Sequence, residues 1–297
     1  MAKILLVHPL FLAKNPEEQE LSSPYFPLGL LYLAAYVREQ GHQVAVFDGT
    51  FCPDESAFAD ALVAEQPDAV GVSVLSSTKA EALTLAAMAA EAGVPVIVGG
   101  PDPTADPGQY LSAPAVDVVV HHEGEQTINR LLDLIDEGRF NLETIDAEPG
   151  IAYRNNGRAV VNEPRPPIEN LDELPLPARD LIDMDRYLQD WEDRHGYSSM
   201  TIATARGCPF GCRWCRDSVH GEGFRQRSPE SVAAEVEALS KTYDVERLRV
   251  IDDVDGIDRT WFEDWAAASD PDTTIPFEPL NESARADLPL LDVRDSL

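Results

Sequence analysis

The sequence is poor in cysteine, and this scarcity narrows the chemistry open to the chain. Of its 297 residues four are cysteine, and three of them (Cys208, Cys212 and Cys215) fall within eight consecutive positions, far from Cys52. One cluster and one distant thiol do not form the paired set of a disulfide framework. We therefore expect a reduced chain whose clustered thiols bind a metal or take part in catalysis.

Long apolar runs are also missing. No stretch reaches the roughly 18 apolar residues that a membrane-spanning helix needs. The richest stretch, residues 28–37, is predicted to be a buried helix. The N-terminus has one lysine followed by a strand-like run, without the layout of a cleaved signal peptide. These absences predict a cytoplasmic protein that does not enter a membrane.

Basic residues are few. The chain has 53 acidic and 23 basic residues, a formal net charge of −30. Such a charge repels nucleic acid phosphates and anionic membranes, so we expect neither as a partner. The acidic residues are spread along the whole chain, which fits a halophilic source in which salt screens their repulsion; an ordinary acidic bacterial protein is the alternative.

Apolar segments in the first half alternate between strand and helix patterns. Short, nearly continuous apolar runs predict strands buried on both faces, and each is followed by a helical pattern. This order is typical of α/β proteins with a parallel, doubly wound sheet. The predicted strands are residues 3–9, 42–49, 68–75, 94–100 and 117–125, and the predicted helices are 27–41, 54–66, 78–93 and 126–138.

The pattern weakens after residue 142 and then resumes. A hairpin with its turn at residues 155–157 and a proline-rich surface connector are predicted next. We expect a Rossmann-like domain at 1–142, the hairpin and linker at 143–197, and a second α/β domain at 198–297. In the second domain, strands are predicted at 200–207, 247–252 and 274–280, with helices at 228–243 (Ser228 as N-cap) and 259–269.

The cysteine cluster has the spacing C-x3-C-x2-C and directly follows the predicted strand 200–207. Thiolates select zinc or iron–sulfur clusters. Structural zinc usually takes four ligands, and the nearest fourth candidate, His220, stands at an unusual spacing. A [4Fe–4S] cluster held by three cysteines leaves one iron open to a substrate or cofactor. Zinc, and a cluster used for electron transfer alone, remain the alternatives.

The segment "CPFGCRWC" resembles the signature C-x3-C-x-aromatic-C of the radical S-adenosylmethionine (radical SAM) family, with Trp214 in the aromatic position. The resemblance implies that Cys208, Cys212 and Cys215 bind a [4Fe–4S] cluster and that SAM chelates its fourth iron. It further implies reductive cleavage of SAM to methionine and a 5′-deoxyadenosyl radical, with electrons from an external ferredoxin- or flavodoxin-type donor. Phe210 and Trp214 are expected near the cluster and SAM.

Asp252 and Asp253 follow the predicted strand 247–252. Residues at the carboxyl ends of barrel strands tend to be functional, so we expect both near SAM; a solvated acidic turn is the alternative. The arginines around the cluster either offset negative charge or bind an anionic substrate, and surface ion pairing is the alternative. They are Arg206, Arg213, Arg216, Arg225 and Arg227.

The first half resembles the cobalamin-binding domain that precedes the radical SAM domain in one large subgroup. The matching segments are "PYFPLGLLYLAAYVREQGHQVAVFDG", "DAVGVSVLSST", "VPVIVGGPDPT" and "VDVVVHHEGEQTINRLL". Ligands of open parallel sheets bind beyond the carboxyl ends of strands. The candidate cobalamin contacts at such ends are Ser73, Ser76, Ser77, Gly99, Gly100, Glu123, Gly124 and Glu125.

The Asp-x-His-x-x-Gly motif, which supplies a histidine to cobalt in other cobalamin folds, is absent from the sequence. We therefore predict cobalamin bound without a protein histidine ligand; a domain that has lost the cofactor is the alternative. The resemblance implies methyl transfer from methylcobalamin to an unactivated carbon of a small-molecule substrate, with ring formation or rearrangement as the alternative within the family.

The radical SAM part is short for the resemblance. Residues 201–297 supply about three βα units, whereas the family barrel has six. We expect a partial barrel of about half the usual size, as a natural short form, a truncated gene or a chain completed by a partner. The rival hypothesis is a non-catalytic or partner-dependent protein that keeps the cobalamin-type fold and the cluster loop.

Overall fold

The structure is a computed structural model, and it describes residues 1–15, 19, 24–210, 219–221, 223–254, 258–271 and 273–279. The chain divides into two compact units. The first unit comprises Met1–Leu21, Pro27–Ile168 and Pro177–Ile182. The second comprises Ser22–Phe26, Glu169–Leu176 and Asp183–Leu297. No helix among the described residues is long and apolar enough to cross a membrane.

The first unit is built on a seven-stranded sheet in the order β2-β1-β3-β4-β5-β6-β7. Its first five strands are parallel. They are β1 (Lys3–His8), β2 (Gln43–Asp48), β3 (Ala69–Ser73), β4 (Val96–Gly99) and β5 (Val118–Val120). The helices that connect and follow them are α1 (Leu28–Glu39), α2 (Ser56–Glu65), α3 (Lys79–Glu91), α4 (Pro101–Ala105), α5 (Pro107–Leu111), α6 (Glu125–Asp136) and α7 (Leu142–Ile145).

Both faces of this sheet are buried, as the continuous apolar strands predict. Side chains alternate along β1, so Ile4 and Leu6 belong to one apolar cluster and Leu5 and Val7 to another. Residues of α1 and α6 join the first cluster, and residues of α3 join the second. Helices therefore cover the sheet on both sides, and the predicted α/β fold with a parallel, doubly wound sheet is confirmed.

The predicted hairpin is present, but it is part of the first sheet and not of a linker. Its strands are β6 (Ile151–Asn155) and β7 (Arg158–Val161), with Asn156 and Gly157 at positive φ in the turn. Strand β6 pairs antiparallel with β5 and so covers the edge that the parallel strands would leave open. The sequence pattern could not show this, because it does not specify which strands pair.

The second unit contains a parallel sheet of β8 (Ser199–Ile202), β11 (Arg247–Val250) and β12 (Phe277–Pro279), in the order β12-β11-β8. A separate antiparallel pair joins β9 (Ala205–Arg206) to β10 (Arg225–Gln226), so the single strand predicted at 200–207 is two strands in two sheets. Helix α9 (Pro229–Thr242) begins after Ser228, whose side chain caps it as predicted, and α10 (Arg259–Ala268) follows β11.

Sequence reasoning missed four of the described helices, the short α4, α5 and α7 and one longer helix. Residues 143–197 were assigned to the hairpin and a linker, yet Met184–His195 forms helix α8 with Asp183 as its N-cap. Its buried residues Met184, Tyr187, Leu188 and Trp191 follow helical spacing. The apolar residues occupy only one side of the helix. The charged residues between them and the prolines that precede the helix made the helical spacing hard to recognise in the sequence.

Candidate cofactor and cluster sites

The predicted cobalamin contacts lie at one edge of the first sheet. Strands β3 and β4 are adjacent and in register, with Ser73 opposite Gly99. Ser76 and Ser77 follow in an exposed 3-10 turn, and Glu123, Gly124 and Glu125 follow β5, the next strand. The structure therefore brings these residues together at the carboxyl edge, where ligands bind to open parallel sheets.

Glycine is required at position 100 because two loops touch there. Gly100 has a φ of +109°, and a Cβ atom built on it would lie 2.8 Å from the carbonyl oxygen of Val74. The amide of Val74 donates to the carbonyl of Gly99 at 2.8 Å. The close approach at Gly100 is therefore made by the neighbouring loop. Gly100 thus fixes the loop after β3 to the loop after β4.

Side chains tie the same loops further. The Lys79 ammonium lies 3.6 Å from the Asp102 carboxylate and 4.8 Å from the centre of the Tyr110 ring. The buried Tyr110 hydroxyl donates to Asp102, and burial, with that bond, raises the pKa of Tyr110 well above its usual value. The amide of His122, a residue at positive φ, donates to the Thr104 hydroxyl at 3.1 Å. The loops after β3, β4 and β5 therefore form one connected rim.

Sequence reasoning missed these ties. Lys79 and Asp102 are 23 positions apart, and neither has a local signal that predicts the contact. Their contact depends on strand order, which places the two loops side by side. The predicted contacts are serines, glycines and two glutamates, whereas Lys79, Asp102 and Tyr110, which were not predicted, join the loops of the rim.

The serine hydroxyls remain available to a ligand. Within the described residues, the side chains of Ser73, Ser76 and Ser77 make no hydrogen bond. Hydroxyl groups can donate to and accept from the amide arms of a corrinoid. Glu123 differs, because its carboxylate accepts from the Ile168 amide at 2.7 Å and so holds a segment of the first unit. The donor set of this edge fits cobalamin through its serines and exposed backbone.

Histidine also reaches this edge. His8 ends β1 beside Asp48, which ends β2. Burial lowers the pKa of His8, and the Asp48 carboxylate opposes this shift in part. His121 is buried at the end of β5, and burial, followed by the neighbouring His122, lowers its pKa as well. Burial therefore disfavours the charged form of both rings, and they lack the motif context of a cobalt ligand.

The second candidate site is the start of the cysteine loop. Cys208 is half-buried and follows Gly207, which has a φ of +80°. A Cβ atom at Gly207 would overlap the carbonyl oxygen of Gly223, so only glycine fits. Phe210 is half-exposed, and Cys212, Trp214 and Cys215 lie outside the described residues. Within the described ranges, no group of three His, Cys, Asp or Glu side chains could hold a metal.

Asp252 and Asp253 hold the segment that leads to Cys208. The Asp252 carboxylate accepts from the Thr204 amide at 2.7 Å and from the Thr204 hydroxyl, and Asp253 accepts from the Gly207 amide at 3.0 Å. Asp252 is buried, so the alternative of a solvated turn is wrong for this residue. Both carboxylates hold the segment that precedes Cys208. Their expected proximity to SAM stays a prediction.

The arginines near the cluster differ in role. Arg227 is buried and pairs with the buried Glu235, and it also donates to the carbonyl of Ala203 at 3.0 Å. This ion pair is internal, so the alternative of surface pairing is wrong for Arg227. Arg225 donates to the His220 carbonyl at 3.2 Å and Arg206 is buried, whereas Arg213 and Arg216 lie outside the described residues.

Comparison with known proteins identifies the first unit. Residues 19–132 match the B12 binding domain family, so this fold class is that of cobalamin-binding domains. The chain is 35% identical over 258 residues to an uncharacterized methyltransferase of Pyrococcus horikoshii, covering 84% of this chain and 53% of the relative. It is 28% identical to the anaerobic magnesium-protoporphyrin IX monomethyl ester cyclase of Rubrivivax gelatinosus, covering 88% of this chain and 46% of the relative.

Among solved structures, OxsB, a cobalamin-dependent S-adenosylmethionine radical enzyme with aqua-cobalamin and S-adenosylmethionine bound, superposes with a TM-score of 0.75. It is 21% identical, and the match covers 93% of this chain and 38% of OxsB. The chain therefore contains a B12 binding domain at residues 19–132, and over most of its length it has the fold of a cobalamin-dependent S-adenosylmethionine radical enzyme. It spans about half the length of the curated relatives it matches here.

Proposed function

We propose that this protein is a cobalamin-dependent radical SAM enzyme that transfers a methyl group to an unactivated carbon of a small-molecule substrate. Cys208, Cys212 and Cys215 bind a [4Fe–4S] cluster, and the carboxyl edge of the first sheet binds cobalamin. The observation that carries the proposal is the segment before Cys208, which Asp252 and Asp253 hold, in a chain that has the fold of a cobalamin-dependent radical SAM enzyme. The boundaries of the domains, the cytoplasmic location, the halophilic source and the electron donor stay predictions.

The geometry around Cys208 supports the cluster assignment. Gly207 has a positive φ that glycine adopts without strain, and its amide donates a hydrogen bond to the Asp253 carboxylate. Asp252 holds Thr204 from the neighbouring strand end. A thiol placed by a rigid segment costs less ordering when it binds metal than one on a free loop. When bound, the cluster supplies the electron that cleaves SAM, and cobalamin supplies the methyl group.

The cluster assignment is tested by removing its described ligand. We expect Cys208→Ala, reconstituted anaerobically, to lose most of the iron and sulfide of the parent chain and to form no 5′-deoxyadenosine with SAM and dithionite. Cys52→Ala is the matched control, since Cys52 lies in the first unit with its thiol 3.6 Å from the Asp48 carbonyl. Iron analysis, electron paramagnetic resonance and mass spectrometry report the outcome. An unchanged cluster in Cys208→Ala contradicts the proposal.

A full cluster that forms no 5′-deoxyadenosine in the parent chain favours the rival, a non-catalytic binding protein. This outcome separates cluster binding from catalysis, because iron content and SAM cleavage are measured on the same sample. The same sample also shows whether SAM binds, from the change that it causes in the cluster spectrum.

The cobalamin assignment is tested at the rim. Gly100→Ala adds a Cβ atom 2.8 Å from the Val74 carbonyl, whereas Gly93→Ala, at a φ of +79°, meets nothing within 4 Å. We expect Gly100→Ala to weaken cobalamin binding by about tenfold or more, because the loops after β3 and β4 must separate. Gly93→Ala tests backbone strain alone. Equal affinity in the two variants, measured by absorbance titration, contradicts the assignment.

A further inference from the structure

The two faces of the parallel sheet in the second unit have different chemistry. Met200, Ile202, Leu248 and Val250 are buried on one face. Phe277, in register with Leu248, contacts Trp265 of α10 at 4.3 Å between ring centres, so this face lies under helix α10. Because side chains alternate, the opposite face carries polar residues. They are Ser199, Thr201, Arg247, Arg249 and Glu278.

Arg247 and Arg249 lie two residues apart on this polar face but have different partners. Arg247 is paired with Glu278, and its guanidinium stacks on Tyr197 at 4.1 Å. The guanidinium of Arg249 stacks on the Trp191 ring at 3.7 Å. In the part of the chain that the structure describes, Arg249 makes no hydrogen bond and no ion pair. Burial lowers the pKa of Arg249, an effect that Tyr197 and Glu278 oppose.

Arg249 and Trp191, which are stacked, each have a buried donor without a hydrogen-bond partner among the described residues, Nε and Nε1 respectively. The hydroxyl of Ser199, on the same face in register with Arg247, also has no partner in these ranges. Trp191 is 5% exposed and Ser199 is 6% exposed, so water does not replace the missing partner freely. Arg249 is half-buried, so a charge without a counter-charge is costly there, and stacking on an indole satisfies none of its N–H groups. A negatively charged hydrogen-bond acceptor would complete this arrangement.

We propose that Arg249 and Trp191 form an anion-binding site on the polar face of this sheet, and that it takes a carboxylate or phosphate group of the substrate. The stacked guanidinium presents its edge as a planar fork, which matches both groups in two parallel hydrogen bonds. Anion binding stands on the contacts above, whereas its assignment to a substrate rests on the proposed function. Arg249 would then select an anionic substrate in a chain whose net charge repels anions.

Glu278 is the competing internal partner. It is near enough to influence Arg249, but its carboxylate is bonded to Arg247. If Glu278 were the acceptor for Arg249 as well, its removal would create anion binding that the parent chain lacks. If the site is open, Glu278→Gln leaves binding in place or strengthens it, because one negative charge is lost nearby.

The test uses the full chain labelled with ¹⁵N, titrated separately with inorganic phosphate and with acetate in chloride-free buffer. The indole N–H resonance of Trp191, assigned with Trp191→Phe, is expected to shift and to saturate. The indole of Trp265 is the internal reference, because it lies on the opposite face against Phe277. Saturation by phosphate alone assigns a phosphate group, and saturation by acetate alone assigns a carboxylate.

Arg249→Gln is expected to raise the midpoint of this titration by about tenfold or more, since the charged bidentate donor is lost. Arg249→Lys keeps the charge without the fork and is expected to weaken binding less, which guards against a folding defect in the glutamine variant. Lys241→Gln is the matched control and is expected to change the midpoint by less than about twofold, because Lys241 lies on α9 and is already paired with Glu237.

The proposal is overturned if Trp191 shows no saturable shift up to about 50 mM of either anion, a concentration well above that expected for a charged bidentate site. It is also overturned if Arg249→Gln titrates like the parent, or if only Glu278→Gln binds. None of these measurements requires a cluster, cobalamin or SAM. A failure here therefore leaves the Cys208→Ala test intact, and a failure of that test leaves anion binding intact.

Discussion

Replacing Gly207 with alanine tests whether the backbone at the cysteine loop must be glycine. Gly207 has a φ of +80°, and an L-residue with a side chain pays about 1–2 kcal/mol in this region. The added Cβ would also overlap the Gly223 carbonyl, so the two segments must separate and the bond from the Gly207 amide to Asp253 is lost. A bond to a charged group contributes about 1.5–3 kcal/mol, and the exposure of Asp253 favours the lower figure.

The expected loss for Gly207→Ala is therefore about 3 kcal/mol in the free energy of unfolding of the second unit, from the strain and the lost bond. Gly221→Ala is the matched control: it has a φ of +69° but meets nothing within 4 Å, so it pays only about 1–2 kcal/mol. Urea unfolding followed by circular dichroism measures both, and iron content after reconstitution reports the cysteine loop. We expect Gly207→Ala to lose more iron than Gly221→Ala.

The reasoning is refuted if the two variants differ by less than about 0.5 kcal/mol and retain equal iron. Strain at positive φ would then account for both losses, and the contact between Gly207 and Gly223 would have no effect on the loop. A larger loss in Gly221→Ala would contradict the contact more directly, because that position has open space around it.

Two further predictions concern buried charge. Glu235→Gln leaves the buried Arg227 without its carboxylate, so we expect the free energy of unfolding in urea to fall by about 3–5 kcal/mol. The double variant Arg227→Met with Glu235→Leu should recover most of this loss. A loss below about 1 kcal/mol for Glu235→Gln would contradict a buried pair. Because burial lowers the pKa of His8 below its unfolded value of 6.5, the unfolded state binds more protons, and stability should fall as the pH drops below about 6.5. His8 contributes at most about 1.4 kcal/mol per pH unit to this fall. His8→Gln should therefore flatten the decline of the free energy of unfolding between pH 7.5 and 5.5. An unchanged slope would show that the pKa of His8 is the same in the folded and unfolded states.

Much of the fold follows from local sequence pattern. Continuous apolar runs such as residues 69–73 predict strands buried on both faces, and helical spacing between them predicts the covering helices. The cap of α9 could also be predicted, because Ser228 followed by Pro229 is a local signal for a helix start. The hairpin turn is local too, since Asn156 and Gly157 accept positive φ.

The candidate sites were only partly predictable. The spacing of the cysteines indicates their chemistry, because ligand type and count are properties of the sequence. The roles of Asp252 and Asp253 required the structure, since hydrogen bonds to Thr204 and Gly207 join residues 46 to 48 positions apart. Nothing local in the sequence distinguishes Arg227 from a surface arginine, and only its burial beside Glu235 shows that its charge is paired internally.

The sequence by itself determined most of the strands and the longer helices, the excess of negative charge and the three-thiol motif, because each depends on residue type and short spacing. Tertiary structure decided which strands pair, which loops form the rim of the first sheet and which polar groups are buried without a partner. These features depend on contacts between distant segments, and their energies arise only when folding removes water from both sides.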